Sequence, residues 1–302
     1  MTLSMLGIAP RYFLEVARTG SVSLAAEQLH VATSAVSRQI SKLEDSLGCL
    51  LFERKARGMN LSEAGERLAA YLRHALHDTD RVLEEVKGLG GQRASRVRVA
   101  CTEGLAIGFM PQAMHSFRQA NPQCTVHLHV GTPDEVSHRL LRGEADIGLK
   151  FSVTPEKNLT LAHQQPAPIH LLMAPFHPLA TRKSVTLADI VRYPLALPEP
   201  GATVRQMLDL CCSLQGRHYD TAYTGNNYAT LLSLAAQGEV LTLSAVVSAA
   251  YAINVGTVVA VPVNEAQFKQ RSLQVLTLAS SPAESQNSQF VAHLINAALA
   301  MA

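Results

Sequence analysis

Apolar positions recur along the chain in three successive rhythms. In the first sixty residues short helical patterns follow one another closely. Leu24, Ala25 and Leu29 give one apolar helical face, residues 30–33 form a short turn, and Ala35, Val36, Ile40 and Leu43 give the inner face of a second helix. Two short helices crossing near a right angle need a small residue at the contact, which Ala26 supplies, and a β-branched plug, which Val36 supplies. The turn asks for a residue that tolerates positive φ, and His30 stands there, less good than Gly but better than most. Residues 51–54, a turn at 55–58 and residues 59–61 then read as a β-hairpin wing with a basic tip.

The second rhythm is a heptad. A long helix begins at Ser62, a good cap, with Glu63 and Glu66 suited to its positive end. Leu68, Leu72, Ala75, Thr79, Val82 and Val86 recur at alternating steps of four and three, and Leu76 and Leu83 widen the stripe. Such a stripe needs a partner, either the rest of its own chain or a second copy. The glycines of residues 88–91 stop the helix, and a polar linker follows at 92–96.

The third rhythm alternates strand and helix. Strands are expected at residues 97–101, 126–130 and 146–149, with helices at 105–120 and 134–142. A second series has strands at 169–174, 195–197 and 258–262 and helices at 203–214 and 228–237; a strand at 272–277 and a helix at 283–300 close the chain. This alternation indicates parallel α/β sheets, in two similar halves with a cleft between them. Residues 240–264 carry no charge and match the length of a bilayer crossing. Thr242, Ser244, Ser248, Asn254, Gly256 and Thr257 interrupt them and their flanks lack basic anchors, so they read as buried strand and helix pieces.

Composition narrows the picture. A chain of 302 residues exceeds what one core usually holds, and 47% hydrophobic with 17% charged residues excludes disorder. Aromatics are 5% with no Trp, which argues against carbohydrate platforms. Net charge is +2, and it resides in the first sixty residues, where seven Lys/Arg face five Asp/Glu; the remainder carries nineteen of each. Arg38, Lys42, Arg54, Lys55 and Arg57 gather the positive charge, the footprint of a phosphate-backbone partner, although on charge alone a solvated face is the favoured reading. Five cysteines, Cys49, Cys101, Cys124, Cys211 and Cys212, form no C-x-x-C pair and suit a reducing, cytoplasmic setting, as does the missing signal pattern at the N-terminus. Cys101 is the more plausible sensor thiol, with a buried packing role the plainer reading. His127 and His129 share a strand face without an evident third ligand, and no phosphate loop, nucleophile elbow or H-E-x-x-H motif supports catalysis.

The ordered string Tyr12-Phe13-Leu14-Glu15-Val16-Ala17, Gly20-Ser21-Val22-Ser23, Ala25-Ala26-Glu27-Gln28-Leu29-His30-Val31, Ser34-Ala35-Val36-Ser37-Arg38-Gln39-Ile40, Leu43-Glu44, Leu47-Gly48, Leu51-Phe52-Glu53-Arg54 and Leu61-Ser62-Glu63-Ala64-Gly65 resembles the LysR-type transcriptional regulators of bacteria. Weaker likeness continues through residues 143–148 and 177–180. The resemblance implies a winged helix-turn-helix at residues 1–62, a dimerising linker helix at 63–91, and at 92–302 a two-lobed α/β effector domain of periplasmic-binding-protein shape. Lobe 1 would take about 92–163 and 267–302, lobe 2 about 164–266. Two departures stand out: Ala32-Thr33-Ser34 replaces the family's Ser-Gln-Pro entry to the recognition helix, and Gly238-Glu239-Val240 replaces a Gly-x-Gly turn.

Site residues follow from both routes. Thr33, Ser34, Ser37, Arg38, Ser41 and Lys42 face outward on the second helix and suit phosphates and base edges, while Arg54, Lys55 and Arg57 would grip phosphate from the wing. In two-lobed α/β domains ligands collect at strand C-termini and helix N-termini. That selects Thr102-Glu103-Gly104, Gly131-Thr132, residues 198–203 and Asn226-Asn227. By resemblance Thr102 and Thr132 bind the effector's polar head, with Gly131 beside them; Gly201, Thr203 and Asn227 close from the other lobe. Glu103, if it faces the pocket, repels an anion and favours a neutral or amine-bearing effector. The expected partners are double-stranded operator DNA with dyad symmetry, a small-molecule effector, a second copy in a homodimer or homotetramer, and RNA polymerase; no membrane, metal or cofactor is expected. An enzyme with a borrowed DNA-binding module and an exported solute-binding protein are the alternatives, and a gel shift against a turnover screen separates them.

Overall fold

Helical periodicity at the front of the chain becomes three helices around one apolar centre, α1 (Ile8–Thr19), α2 (Val22–Leu29) and α3 (Thr33–Leu47). The structure, a computed structural model, describes residues 7–55, 58–88, 95–154, 156, 159–278 and 286–300. Phe13, Val16, Ala25, Ala26, Val36 and Ile40 are buried together. α2 ends where His30 turns to φ 55, and Val31 donates its N–H back to the Ala26 carbonyl at 3.0 Å. His30 is the one non-glycine with positive φ among the described residues. Leu24, expected on the inner face, is instead 51% exposed. The helices approach closely enough that alanine-sized side chains fill the contact, so the buried stripe centres on Ala25 and Ala26 and the larger side chain turns outward.

The wing pairs β1 (Phe52–Lys55) antiparallel with β2 (Gly58–Leu61), in the register Phe52↔Leu61 to Lys55↔Gly58. Lys55, expected in the turn, therefore ends a strand. Arg57 lies outside the described residues. Phe52 packs on Phe13 with ring centroids 5.3 Å apart, and Met59 donates its N–H to the Gly20 carbonyl at 2.9 Å, which seats the wing on the helices. α4 (Glu63–Gly88) follows. Ser62 Oγ accepts the Gly65 N–H at 3.0 Å and donates to the Leu50 carbonyl at 2.7 Å, so one hydroxyl caps α4 and ties it to the wing. Ala69 and Leu72 are buried in the same core and Leu68 packs against it. The front of the heptad stripe is thus covered by its own chain. The side chains of Val82 and Val86 lie outside the described set.

The chain divides into two units, Met1–Ala94 with Leu141–Glu144, and Ser95–Leu140 with Ala145–Ala302. The second holds β3 (Ser95–Thr102), α5 (Glu103–Ala120), β4 (Cys124–Gly131), α6 (Pro133–Leu141), β5 (Ile147–Ser152), β6 (Thr160–Pro166), β7 (His170–Met173), α7 (Leu187–Ile190), β8 (Leu195–Pro198), α8 (Thr203–Leu214), β9 (Thr221–Gly225), α9 (Tyr228–Gln237), β10 (Thr242–Ser244), α10 (Val246–Asn254), β11 (Val259–Pro262), β12 (Ser272–Thr277) and α11 (Gln286–Leu299). Five strands form one sheet in the order β4-β3-β5-β12-β6. β3 runs parallel to β4 and β5, as helix crossovers require, but β12 runs antiparallel to β5 and β6. A second sheet, β10-β7-β11, is antiparallel, and β8-β9 form a parallel pair. The sheets are therefore mixed rather than parallel throughout, because the chain re-enters the first sheet at β12 without a crossover helix laid on that sheet. β6 and β9, unmarked in the sequence, lie at strand-order ends with mostly exposed side chains, so no apolar alternation announces them.

Each lobe has its own core. Val97, Val99, Phe109, Ile147, Leu149, Val275 and Phe290 pack in one; Ile169, Leu171, Leu195, Leu208, Leu243, Val261 and Phe268 pack in the other. The uncharged stretch at 240–264 becomes β10, α10 and β11, and no described helix is long and apolar enough to cross a membrane. Val247 of α10 is buried in the first core. Two chain crossings connect the sheets and bond to each other: Ala167 N–H to the Arg271 carbonyl at 2.9 Å and Ile169 N–H to the Phe268 carbonyl at 3.0 Å.

Gly65 holds the tightest approach in the first unit. A Cβ there would sit 2.0 Å from the Leu51 carbonyl oxygen, so the start of α4 and the wing would have to separate. Gly65→Ala is expected to cost about 1–3 kcal/mol in urea unfolding of the full chain; an unchanged midpoint contradicts that packing.

Candidate functional site

The outer surface of α3 is built by the same period that buries its inner surface. With Val36 and Ile40 inside, Thr33, Ser37 and Ser41 form one exposed row at helical spacing, and Ser34, Arg38 and Lys42 form the neighbouring row. All six expected residues are exposed on one face. Two other cations of this unit are engaged, Arg18 by Glu15 and Arg67 by Glu63 at 2.9 Å. Arg38 and Lys42 form no ion pair among the described residues. The nearby acid Glu44 is taken inward, accepting the Leu51 N–H at 2.7 Å, where it fixes the junction to the wing. The face left to solvent is hydroxyl-bearing and cationic, which matches phosphate oxygens and base-edge acceptors. Arg54 and Lys55 sit on β1; their side chains are outside the described set.

The second site assembles where β3 and β4 end side by side, with Thr102 paired to Gly131. Thr102 is buried at the N-cap of α5, and its hydroxyl neither caps the helix nor meets another protein group. The Glu103 carboxylate faces the backbone N–H of Tyr228, the first residue of α9. Burial raises the Glu103 carboxyl above its ordinary value, and the Tyr228 N–H opposes that shift. Glu103 therefore faces the positive end of α9. Thr132 is exposed and locally engaged: its hydroxyl accepts the Glu135 N–H at 3.2 Å while the Glu135 carboxylate accepts the Thr132 N–H at 2.7 Å, a reciprocal cap on α6. Thr203 donates its hydroxyl to the Phe151 carbonyl at 3.3 Å. Asn227 caps α9, its Oδ1 accepting from the Thr230 N–H at 2.9 Å and hydroxyl at 2.8 Å. Gly201 is exposed at φ 127, just ahead of α8.

Thr102, Glu103, Gly131 and Thr203 are thus brought around the ends of β3, β4 and β5, while Asn227 and Thr132 serve helix caps. Sequence reasoning missed four residues there: Phe151, Tyr228, Ser248 and Arg271. Ser248 is 1% exposed, and a Cβ on Gly104 would fall 2.8 Å from its Oγ and 3.5 Å from the Phe151 ring. The Arg271 guanidinium lies 4.4 Å from the centroid of that same ring. The available signal was the set of hydroxyls at Thr242, Ser244 and Ser248 inside an otherwise apolar stretch, since buried polar groups need a reason.

Two family models cover most of the chain: "Bacterial regulatory helix-turn-helix protein, lysR family" over residues 9–66 and "LysR substrate binding domain" over residues 90–299. The chain belongs to the LysR family of transcriptional regulators. This regulator is 31% identical over 212 residues to the "RuBisCO operon transcriptional regulator" of Allochromatium vinosum, covering 68% of each chain. It is 29% identical over 199 residues to the "HTH-type transcriptional activator CmpR" of a Synechocystis strain, covering 65% of this chain and 64% of that one. Its fold matches a full-length OxyR variant from Pseudomonas aeruginosa with TM-score 0.63 at 21% identity, covering 96% and 93% of the two chains. It also matches full-length CbnR in complex with its target DNA, with TM-score 0.59 at 21% identity over 97% and 99%. The regulator is a DNA-binding transcription factor with an effector-binding domain, not an enzyme.

The regulator's buried thiols are poor sensors. Burial pushes Cys101 up to about 12 and Cys211 up to about 11, and raises Cys212 as well. Cys49 alone of the five cysteines is exposed. Titration of the native protein with a thiol reagent such as DTNB is expected to count Cys49 promptly and the other four only after denaturation; fast modification of a Cys49→Ser variant would contradict this.

Proposed function

We propose that the regulator reads an operator with the two outward rows of α3 and holds the flanking phosphates with the wing. Ser34, Ser37, Arg38 and Lys42 enter the major groove, Thr33 meets the backbone at the helix start, and Arg54, Lys55 and Arg57 grip phosphate. The observation that carries this reading is the pair of exposed, unpaired cations Arg38 and Lys42 on the row they share with Ser34, over a tightly packed three-helix core. The distal stripe of α4 pairs two copies, as a homodimer or dimer of dimers, so the operator has dyad symmetry. A small effector between the lobes of the second unit biases the arrangement of the readers and the access of RNA polymerase, by favouring one of two lobe arrangements. The protein works in the cytoplasm, where its DNA is.

Two substitutions separate base reading from phosphate gripping. Arg38→Ala is expected to lower affinity for the operator by about 1–3 kcal/mol while leaving binding to random DNA nearly unchanged. Lys55→Ala is expected to weaken binding to both and to reduce the slope of log K against log salt by about 1. Gel shifts across a salt series measure both, and equal losses on operator and random DNA for Arg38→Ala refute its assignment to a base edge.

A further inference from the structure

Among the described residues of the second unit, three charged ones are at least nine-tenths buried: Asp146, Lys150 and Arg271. Two are neutralised within the fold. Asp146 takes a guanidinium N–H of Arg98 at 2.8 Å and the Arg98 backbone N–H at 2.8 Å. Lys150 pairs with Glu156 and donates to Ser137 Oγ at 2.8 Å. Arg271, 3% exposed, has no carboxylate partner among the described residues. Its Nε donates to the Ala167 carbonyl at 3.2 Å, the Phe151 ring covers it, and Nη2 is buried without an acceptor.

A lone buried cation is costly, and the usual escape by losing the proton is closed to arginine. Burial lowers Arg271 only to about 10, so it stays charged at neutral pH. The groups around it supply no countercharge. Tyr228 lies within its electrostatic reach, with the hydroxyl facing Ser244 but making no well-formed hydrogen bond, and His170 is disfavoured as a cation mainly by its own burial. The hydroxyls of Thr102 and Ser248 are likewise buried and unsatisfied, and Ser248 adjoins the Phe151 ring through Gly104. The Phe151 ring links these groups: the Arg271 guanidinium lies on it, and with Ser248 it flanks Gly104, two residues after Thr102.

We propose that the regulator's effector is a small carboxylate whose charged head docks on the Arg271 guanidinium beneath Phe151, with hydroxyls of Thr102, Tyr228 and Ser248 facing the rest of the molecule. This rests on the reading of the cleft as the effector site and replaces the neutral or amine ligand expected from Glu103, whose carboxylate faces the N-terminus of α9. A monoanion balances one guanidinium, whereas a dianionic phosphate would overcompensate it near the Glu103 carboxylate. Arg271 lies on one lobe crossing and bonds twice to Ala167 on the other, through its carbonyl to the Ala167 N–H and through Nε to the Ala167 carbonyl, so the anion sits at the hinge that relates the lobes.

The test uses full-length protein and thermal unfolding at constant ionic strength. The probes are acetate, pyruvate and benzoate, the neutral partners acetamide and benzamide, benzylamine, and inorganic phosphate, each against wild type, Arg271→Gln and Arg271→Lys. A carboxylate is expected to raise the wild-type melting temperature where its amide, the amine and phosphate do not. Its apparent Kd should weaken at least tenfold in Arg271→Gln, about the loss of one charge-assisted hydrogen bond, and less in Arg271→Lys. Without ligand, Arg271→Gln should melt at or above the wild-type temperature, because an unpaired buried charge is gone; a purely structural arginine predicts a fall. Should Arg271→Gln not fold, Arg271→Lys still decides, since loss of the planar fork weakens carboxylate binding. A carboxylate response undiminished in the variants, a response to amine or amide alone, a stronger Arg271-dependent response to phosphate, or no Arg271-dependent response to any probe overturns the proposal. Gel shifts keep it separate from the regulatory reading. A carboxylate that stabilises through Arg271 without altering DNA retention refutes the regulation, whereas a compound that alters retention equally in wild type and Arg271→Gln refutes the ligand class.

Discussion

Close approach of backbones sets the geometry of both units. In the first, α2 and α3 cross where Ala25, Ala26 and Val36 leave no room for longer side chains, and α4 starts against the Leu51 carbonyl at a position open only to Gly65. In the second, α5 lies so near α10 that a Cβ on Gly108 would come within 2.7 Å of the Val247 carbonyl oxygen. Interiors are close-packed solids, and contacts of this kind define one arrangement rather than a family of arrangements. The first set fixes how α3 is presented. The second draws α10 into the core of the opposite lobe and carries Ser248 to the ends of β3 and β5.

Within those frames the charges sort by purpose. Several structural charges are satisfied locally: Asp146 by Arg98, Lys150 by Glu156, Glu44 by the backbone of Leu51. The charges left over are of two kinds. Arg38 and Lys42 are exposed on one helix face, where water stabilises them. Arg271 is buried, stabilised by the Ala167 carbonyl and the Phe151 ring but without a carboxylate among the described residues.

The first sixty-five residues were legible almost throughout. His30 adopts the positive φ expected of it, and Val36 and Ile40 face in while Arg38 and Lys42 face out, because a 3.6-residue period says directly which side chains share a surface. α8 and α9 likewise fall on the residues their periodicity marked. Leu24 departed because burial there is decided by the crossing distance of two helices, and β6 and β9 because edge strands with exposed side chains leave no alternating signal.

The sequence by itself determined the family, the order of the two domains the family models match, and which residues of α3 face outward, since each depends on neighbours a few positions away. Only the tertiary structure decided the direction of strand pairing, the inward turn of Glu103 toward α9, and the meeting of Thr102, Phe151, Tyr228, Ser248 and Arg271. Those residues are separated by up to 169 positions, the span from Thr102 to Arg271. Whether a buried charge finds a partner depends on which segments the fold lays side by side, and a one-dimensional pattern holds no record of that.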